Sequence, residues 1–582
     1  MASFKIGISM AGAISAGAYT AGVLDFLTEA LDEWQKARAR GELVPPHEVS
    51  IEVISGASAG GICAAISTVM LQDEFEHIHD TSKTGTTNRL YESWVNQIDI
   101  RKLLGTDDLK SAPPILSLLD STIIDSIAND LLRDRIPLPA PRPYVSPNLT
   151  LFLSLTNLRG TPYSLNGAAP GSPEEGTFFF GDRIRFETVR SDTTRPSSPL
   201  AHILDFTRHI EDEAWEIFKT AAMATGAVPV FLLPRVLDRN RSNYTPPPWE
   251  SVASAATGNP PPISPNFPPG TPDRLLTLNV DGGVTNNDPF NYAHDYLASL
   301  EPIRLDGENP STALGTDRAV ISIAPFPTTD TFDIKYNPRD HSSIFSVLVK
   351  VLSALVSQSR FFGESLSKVM NGTTFNRFVI APSDYDTAMK YSGTARPDEP
   401  PALQCATIGA FGGFFDRGFR AHDYALGRRN CQRFLKDSFV LPEANIIIKA
   451  ALDPLDPGRR ESIISRFKRP APGTYAESKQ NSPQADQTNN RDCWLPIIPL
   501  CSETLSKHIP PIERVKMSGA ALNLICGMIM ARFRELISLL ISGIPSPTLR
   551  IFLRLGQPII RFLARGPLRE ALINGLGDSY QP

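Results

Sequence analysis

Residues 49–60 read Val-Ser-Ile-Glu-Val-Ile-Ser-Gly-Ala-Ser-Ala-Gly and join a β-branched run, Val49 to Ser55, to an apolar helix predicted over Ile62 to Gln72. The small residues between them, Gly56 to Gly61, predict a tight strand-to-helix turn. A Gly-x-Ser-x-Gly sequence in this context is typical of a nucleophile elbow, which exposes the serine side chain at the helix N-terminus. The alternative is a tight βα turn without any chemistry.

A second βα unit lies upstream of this turn. The apolar run Phe4 to Ile8 is followed by a small-residue loop and by an amphipathic run from Gly17 to Ala37. Two consecutive βα units predict a parallel sheet flanked by helices. The predicted fold class is therefore α/β, with a central, mostly parallel sheet. Further strands are predicted over 149–156, 275–280, 319–323 and 378–381, and further helices over 212–224 and 342–370.

A carboxylate follows one of the later strands. The strand predicted over Leu275 to Val280 ends in Asp281-Gly282-Gly283, and sites in α/β sheets lie at the carboxyl ends of the strands. A serine hydroxyl is a weak nucleophile at neutral pH and needs a nearby base. Asp281 is therefore the candidate base for Ser58. The alternative is an Asx-type turn that only closes the strand.

These two motifs and two further segments resemble the patatin-like phospholipase family, in the family's order along the chain. The resemblance covers residues 1 to about 310 and implies a three-layer α/β/α core. The four matching segments are the loop Ala11 to Ile14, the elbow Gly56 to Gly60, the run Ala224 to Phe231, and Asp281 to Pro289, which fits the family's Asp-Gly-Gly followed by Asn-x-Pro.

The resemblance also implies a chemistry. It implies that Ser58 is the nucleophile and Asp281 the base of a dyad without histidine, supported by the motif glycines Gly56, Gly60, Gly282 and Gly283. The implied reaction is hydrolysis of a carboxylic ester in a phospholipid or other acyl lipid, of the phospholipase A or lysophospholipase type, through an acyl-enzyme. It implies no cofactor and no metal.

The oxyanion loop departs from the family pattern. Most relatives have Gly-Gly-Gly-x-Arg/Lys-Gly, whereas residues 12–17 read Gly-Ala-Ile-Ser-Ala-Gly, with one leading glycine and no cation. The resemblance then assigns oxyanion binding to the backbone N–H groups of Gly12, Ala13, Ile14 and Ala59. Because the loss of one such donor lowers the rate by about 100- to 1,000-fold, a weak or inactive lipid-binding or interaction scaffold is the alternative function.

Other site chemistries stay open or are disfavoured. A Ser-His-Asp triad stays open because four histidines follow Asp281, as in an α/β-hydrolase: His294, His341, His422 and His508. His77 and His79 lack neighbouring ligands, so the pattern favours two histidines on a helix surface over a metal site. The N-terminal turn has neither G-x-G-x-x-G nor GK[ST], which disfavours nucleotide binding.

Composition divides the chain into regions. Residues 245–272 hold ten prolines in 28 positions and predict a surface loop inserted into the catalytic domain. Residues 103–143 are expected to cap the acyl site. The predicted regions are a patatin-like catalytic domain over 1–310, an accessory α/β to helical region packed on it over 311–468, a polar linker over 469–491, and a basic amphipathic helical region over 492–582.

Charge and hydropathy limit the partners. The net charge of 57 − 62 = −5 gives no reason to expect nucleic acid, and no secretion signal or membrane-spanning run is evident. The expected location is cytoplasmic. The basic run Thr548 to Ile573 predicts either peripheral contact with a membrane surface or docking on the protein's own core. Phe411 to Leu435 predicts either contact with lipid phosphates or an exposed helix held by local ion pairs.

Overall fold

The computed structural model describes residues 3–110, 115–133, 135–164, 176–190, 201–207, 212–245, 263–300, 309–326, 374–384, 402–472, 493–544, 546 and 565–582. The central sheet has the spatial order β5-β4-β3-β2-β1-β8-β9, with β7 between β3 and β6 on a branch. Its strands are β1 Ser3–Met10, β2 Glu48–Gly56, β3 Val145–Ser164, β4 Gly176–Val189, β5 His202–Asp205, β6 Arg235–Asn240, β7 Arg274–Asp281, β8 Arg318–Ile323 and β9 Arg377–Ile380.

The central sheet is mostly parallel, as the fold class predicts. Strand β1 pairs in parallel with β2 and β8, β2 with β3, β8 with β9, and β4 with β5. Strand β3 pairs antiparallel with β4 and β7, and β6 with β7. Because Met10, Gly56 and Ile323 lie side by side, the strands around β1 end at one common edge of the sheet. The loops that follow them meet there.

Helices cover both faces of the sheet. The described α-helices of seven residues or more are α1 Gly17–Ala39, α2 Ser58–Met70, α3 Thr122–Leu132, α4 Glu213–Thr225, α5 Phe290–Ser299, α6 Arg417–Asp437, α7 Ile446–Leu452, α8 Pro457–Phe467 and α9 Gly519–Ser542, with a further helix over 565–576. The large core contains α1, α2, α4 and α6, whereas α5 packs with Val53, Phe152 and Val320 in a separate cluster. The arrangement is three-layered.

The described part of the C-terminal half is built into the same core. Strands β8 and β9, which lie beyond the expected boundary near residue 310, extend the sheet past β1. Two small sheets lie outside it: β10 Val440–Pro442 with β11 Trp494–Pro496, and β12 Met517–Ser518 with β13 Tyr580–Gln581.

Helix α6 corrects one prediction from the sequence. Both interpretations of Phe411 to Leu435 place its cations on the surface, and both are wrong, because Arg420, Arg428 and Arg429 are buried. The helix packs tightly on α1, where a side chain at Gly427 would overlap the backbone of Tyr19. Its charges are therefore part of the core.

The histidine pair is also placed differently from the prediction. Residues 74–80 lie outside any helix, so the interpretation of His77 and His79 as a helix-surface pair is wrong. The His77 Nδ1 atom lies 2.8 Å from Oδ1 of Asp25, and the His79 Nε2 atom lies 3.1 Å from Oε1 of Glu29. Among the described residues, no group of His, Cys, Asp or Glu has the arrangement of a metal site.

Several sequence predictions fall outside the described residues. These are the helix over 342–370, most of the proline-rich loop over 245–272, and most of the linker over 469–491. The same holds for Arg550, Arg554 and Arg561 of the basic run. None of the described helices combines the length and the apolar character that crossing a bilayer requires.

Candidate active site

Ser58 lies at the sharp turn between β2 and α2, at the edge where the parallel strands end. It is 5% exposed, and its φ of 53° is in the left-handed region, which non-glycine residues adopt only when the surroundings enforce it. Only glycine fits at positions 56 and 60, because backbone atoms of neighbouring residues lie too close for a side chain. A Cβ atom at Gly56 would lie 2.5 Å from the carbonyl oxygen of Gly60, and one at Gly60 would overlap that of Met10.

Asp281 lies at the end of β7, directly opposite the serine. The Ser58 hydroxyl donates to Oδ2 of Asp281 at 2.7 Å, and the Gly283 N–H donates to Oδ1 at 2.7 Å. The pair is brought together by the sheet, because Asp281 is paired with Leu155 of β3. A side chain at Gly282 would overlap the carbonyl group of Ser154, so the chain beyond the aspartate fits only as glycine.

The electrostatic environment of Asp281 is unusual for a carboxylate. Burial raises its pKa to about 7, while the hydrogen bonds from Ser58 and Gly283 act in the opposite direction. Among the described residues, none forms an ion pair with it. A carboxylate with a pKa near neutral pH can accept and return a proton under the same conditions.

Thr225 is a site residue to which the sequence analysis gave no role. Its Oγ1 accepts the Ser58 N–H at 3.1 Å and donates to the Ser154 carbonyl at 2.7 Å. It therefore ties the strained turn to β3. Thr225 lies inside the matching run Ala224 to Phe231, so the sequence does place it in a motif. Nothing in that run indicates that the threonine contacts the turn at Ser58.

The loop predicted to bind the oxyanion lies against the serine. A Cβ atom at Gly12 would lie 2.9 Å from Cβ of Ser58, so only glycine fits there. The Gly12 N–H donates to the Asn287 carbonyl at 2.9 Å. By contrast, the N–H groups of Ala13, Ile14 and Ala59 donate to no backbone carbonyl among the described residues.

An apolar cavity of about 50 Å³ opens beside Ser58. Its walls include Ile14, Ala59 and Ile62 next to the serine, and the strand-connecting residues Val228 and Phe231. The segment expected to cap the acyl site contributes Leu103, Leu119 and Ile124, so the part of it up to residue 124 lines the cavity beside Ser58.

The histidines of the alternative triad lie elsewhere. His294 stacks on Phe290 in α5 and lies 3.2 Å from Oδ1 of Asp295, while His422 is buried in α6 beside Asp423. None of the histidines that the structure describes forms a hydrogen bond with Ser58 or Asp281. His341 lies outside the described residues.

Three comparisons relate this chain to known proteins. A family model described as patatin-like phospholipase matches residues 8–294. The uncharacterized protein y4iI of Sinorhizobium fredii (strain NBRC 101917 / NGR234) is 31% identical over 572 residues, which cover 93% of this chain and 76% of that protein. The crystal structure of VipD from Legionella pneumophila aligns over 73% of this chain and 67% of that chain, at 13% identity and a TM-score of 0.22, which is too low to support an inference.

Proposed function

This chain belongs to the patatin-like phospholipase family, and on that premise we propose that it is a serine lipid acyl hydrolase that uses Ser58 and Asp281. The observation that carries the proposal is the 2.7 Å hydrogen bond between the Ser58 hydroxyl and an Asp281 carboxylate whose pKa is raised to about 7. The substrate class is a phospholipid or another lipid with an acyl ester. The reaction is of the phospholipase A or lysophospholipase type.

In the first half of the proposed reaction, Ser58 Oγ attacks the acyl carbonyl carbon while Asp281 Oδ2 takes the hydroxyl proton. The tetrahedral intermediate then collapses, the ester C–O bond breaks, and Asp281 returns the proton to the leaving alcohol oxygen. The acyl group remains on Ser58. No other base is required, since Asp281 already accepts a hydrogen bond from the Ser58 hydroxyl.

In the second half, water replaces the alcohol. Asp281 takes a proton from that water, the hydroxyl oxygen attacks the acyl-enzyme carbonyl, and Ser58 leaves with the proton from Asp281. The products are a free fatty acid and the deacylated lipid. Thr225 supports both halves by holding the Ser58 backbone at 3.1 Å, which keeps the strained turn in place.

The oxyanion is proposed to be held by backbone donors. Ala13, Ile14 and Ala59 supply N–H groups that no described backbone carbonyl occupies. Ala59 also lies in the first turn of α2, where the helix dipole favours negative charge. Gly12 takes part only if its N–H exchanges the Asn287 carbonyl for the oxyanion.

The hydrogen bond from the Gly12 N–H to the Asn287 carbonyl favours a second candidate function. If Gly12 stays bonded to Asn287 and the cation found in most relatives is absent, the site stabilises an oxyanion weakly. The chain is then a lipid-binding or interaction scaffold that keeps the fold and little turnover. Both functions place an acyl lipid at the same cavity.

We also propose that the substrate is taken from a membrane surface. Val230 is 68% exposed with a φ of 73°, which is strained for a β-branched side chain, and its neighbour Phe231 lines the cavity beside Ser58. The Leu118 N–H donates to the Val230 carbonyl at 2.8 Å, which places a second exposed apolar residue at this mouth. Apolar side chains at the entrance suit contact with lipid.

The test is fluorophosphonate labelling read by mass spectrometry, combined with fatty-acid release from mixed phospholipid vesicles. Wild type is compared with Ser58→Ala and Asp281→Asn, and with Ser67→Ala as a matched control, because Ser67 is an equally buried serine of the same helix. We expect label at Ser58 and fatty-acid release in wild type and in Ser67→Ala, with release lost in the other two variants. Unlabelled Ser58 in folded protein without fatty-acid release would favour the scaffold.

A further inference from the structure

The cavity beside Ser58, here called the first chamber, adjoins a second apolar cavity of about 60 Å³, here called the distal chamber. The residues that line both chambers are apolar, and they are here called the partition. The residues that line both are Ile62, Trp94, Ile98, Ile124 and Met223.

The two chambers follow the axis of α2. Ser58 begins that helix and lines the first chamber, whereas Ala65 and Ile66 line the distal chamber two turns further on. Eight residues of helix from Ser58 to Ile66 span about 12 Å. Helix α3 runs alongside, with Ile124 at the partition and Leu131 at the far end of the distal chamber.

Two side chains of the partition differ in mobility: Trp94 is held in place, and Met223 can change its conformation. Trp94 packs so closely on α1 that a side chain at Gly17 would overlap its ring, so the indole is held in place. Met223 is unbranched and has three rotatable bonds, and methionine fills gaps of irregular shape. A chain that enters from Ser58 can therefore displace Met223 along the Trp94 surface.

A charged cavity lies beyond the distal chamber. It has a volume of about 320 Å³ and shares Ile127 and Leu131 with the distal chamber. Its walls carry Asp73, Arg89 and Glu92, and Asp73 is paired with Arg135 at 2.6 Å. A methylene group that reaches it gains less than one in the distal chamber, because charged side chains join the apolar ones in its wall.

We propose that the distal chamber binds the outer methylenes of a long acyl chain, so that this protein selects long-chain over short-chain acyl lipids. The inference rests on the proposed function, since the ester carbonyl is placed at Ser58. Ala128 of α3 and Ala222 of α4 set the capacity of the chamber, because both are small residues on its wall. Binding strengthens with each added methylene until the chain reaches Leu131, and then levels off.

The test fills the distal chamber and leaves the first one unchanged. Ala128→Phe places a ring in the chamber, and Ser126→Phe on the exposed face of the same helix is the matched control. We expect hydrolysis of p-nitrophenyl butyrate to stay within about twofold of wild type in both, while kcat/KM for p-nitrophenyl palmitate falls at least about tenfold in Ala128→Phe alone, the effect of roughly two unburied methylenes. An equal fall for both esters, or no fall for the palmitate, overturns the proposal.

A binding measurement separates this proposal from the proposed function. In the Ser58→Ala background, displacement of a fluorescent fatty acid by octanoate and by palmitate reports chain length without turnover. We expect palmitate to bind more tightly than octanoate, and Ala128→Phe to remove most of that difference. Equal affinity for the two acids overturns the distal chamber, whatever the activity. Long-chain preference in a protein without esterase activity would support the chamber and contradict the hydrolase. Ala128→Met serves as the milder variant if the phenylalanine prevents folding.

Discussion

Asp25 and Asp281 are both buried aspartates, and they differ in the groups that face them. Asp25 lies on α1, where Arg428 forms an ion pair with it, His77 Nδ1 lies at 2.8 Å, and the Ile78 N–H donates at 3.1 Å. Asp281 lies at the end of β7 and receives the Ser58 hydroxyl and the Gly283 N–H, with no described cation beside it.

The pKa values follow from these surroundings. Burial acts to raise the pKa of both carboxyls, but Arg428 and His77 outweigh it at Asp25 and hold the pKa of that group below its usual value. At Asp281 burial dominates, and the pKa rises to about 7. A buried charge with a full set of partners supports the fold, whereas one left without a counter-ion reduces stability and can exchange protons.

The largest expected effect is on activity. Asp281→Asn should lower fatty-acid release at least about 1,000-fold, because the base for Ser58 is lost while the shape of the site is kept. Asp25→Asn should leave the activity per folded molecule within about threefold, since Asp25 contacts no part of the site. The measurement is kcat/KM normalised to the concentration of folded protein. A loss of the same size in both variants would remove the distinction between the two aspartates.

The next effect is on stability at Asp25. Arg428→Met should cost about 3–5 kcal/mol of unfolding free energy, because it removes the arginine that pairs with both buried carboxylates, Asp25 and Glu29. Arg460→Met is the control, since Arg460 pairs with Glu443 at the surface and such pairs contribute about 1 kcal/mol or less. Urea unfolding measures both, and equal values for the two variants would argue against the structural role of the Asp25 cluster.

The third expected effect is a gain in stability, on replacing Asp281. The pKa of Asp281 in the folded chain, about 7, lies above the ordinary value of 3.8, so the protonated carboxyl favours the fold. That stabilisation is complete below about pH 4 and is lost as the pH rises through about 7. Asp281→Asn should therefore be more stable than wild type at about pH 8, by up to about 4 kcal/mol, and the gap should close toward about pH 4. Thermal unfolding across this range measures the gap, and a gap independent of pH would contradict the account.

The smallest effect concerns backbone strain at the serine. With φ at 53°, Ser58→Gly should be more stable than Ser58→Ala by about 1 kcal/mol, because glycine adopts this region without a steric penalty. At Ser67, in the middle of the same helix, the order should reverse, with glycine less stable than alanine by about 1 kcal/mol. Denaturant unfolding of the four variants gives both differences. The same order at both positions would show that the turn is unstrained.

The pattern of apolar strands and small-residue turns was enough to predict the fold around the site. The elements around Gly56, Ser58 and Asp281 have local signals, since each motif follows an apolar strand and contains small residues that tolerate close approach. Helix α2 begins at Ser58 and not at Ile62, because the small residues of the turn form its first turn.

The features that the sequence did not predict depend on contacts between distant parts of the chain. Arg428 and Asp25 are 403 residues apart, so the sequence shows α6 as a charged run and not as a buried helix. The position of His77 depends on the same cluster. Likewise, the Gly12 N–H is engaged by Asn287, a backbone contact that no residue type specifies. The distal chamber arises from three helices and the segment over 93–98, and no single stretch encodes it.

The central claim is that Asp281 acts as the base for Ser58, and the pH dependence of Ser58 labelling tests it most directly. The rate of fluorophosphonate labelling at Ser58, followed by mass spectrometry, should rise with pH through a midpoint near 7 as Asp281 loses its proton, and then level off. Asp281→Asn should label slowly and without that midpoint. A wild-type rate that is constant from about pH 5 to about pH 9, or the same pH curve in Asp281→Asn, would contradict the account.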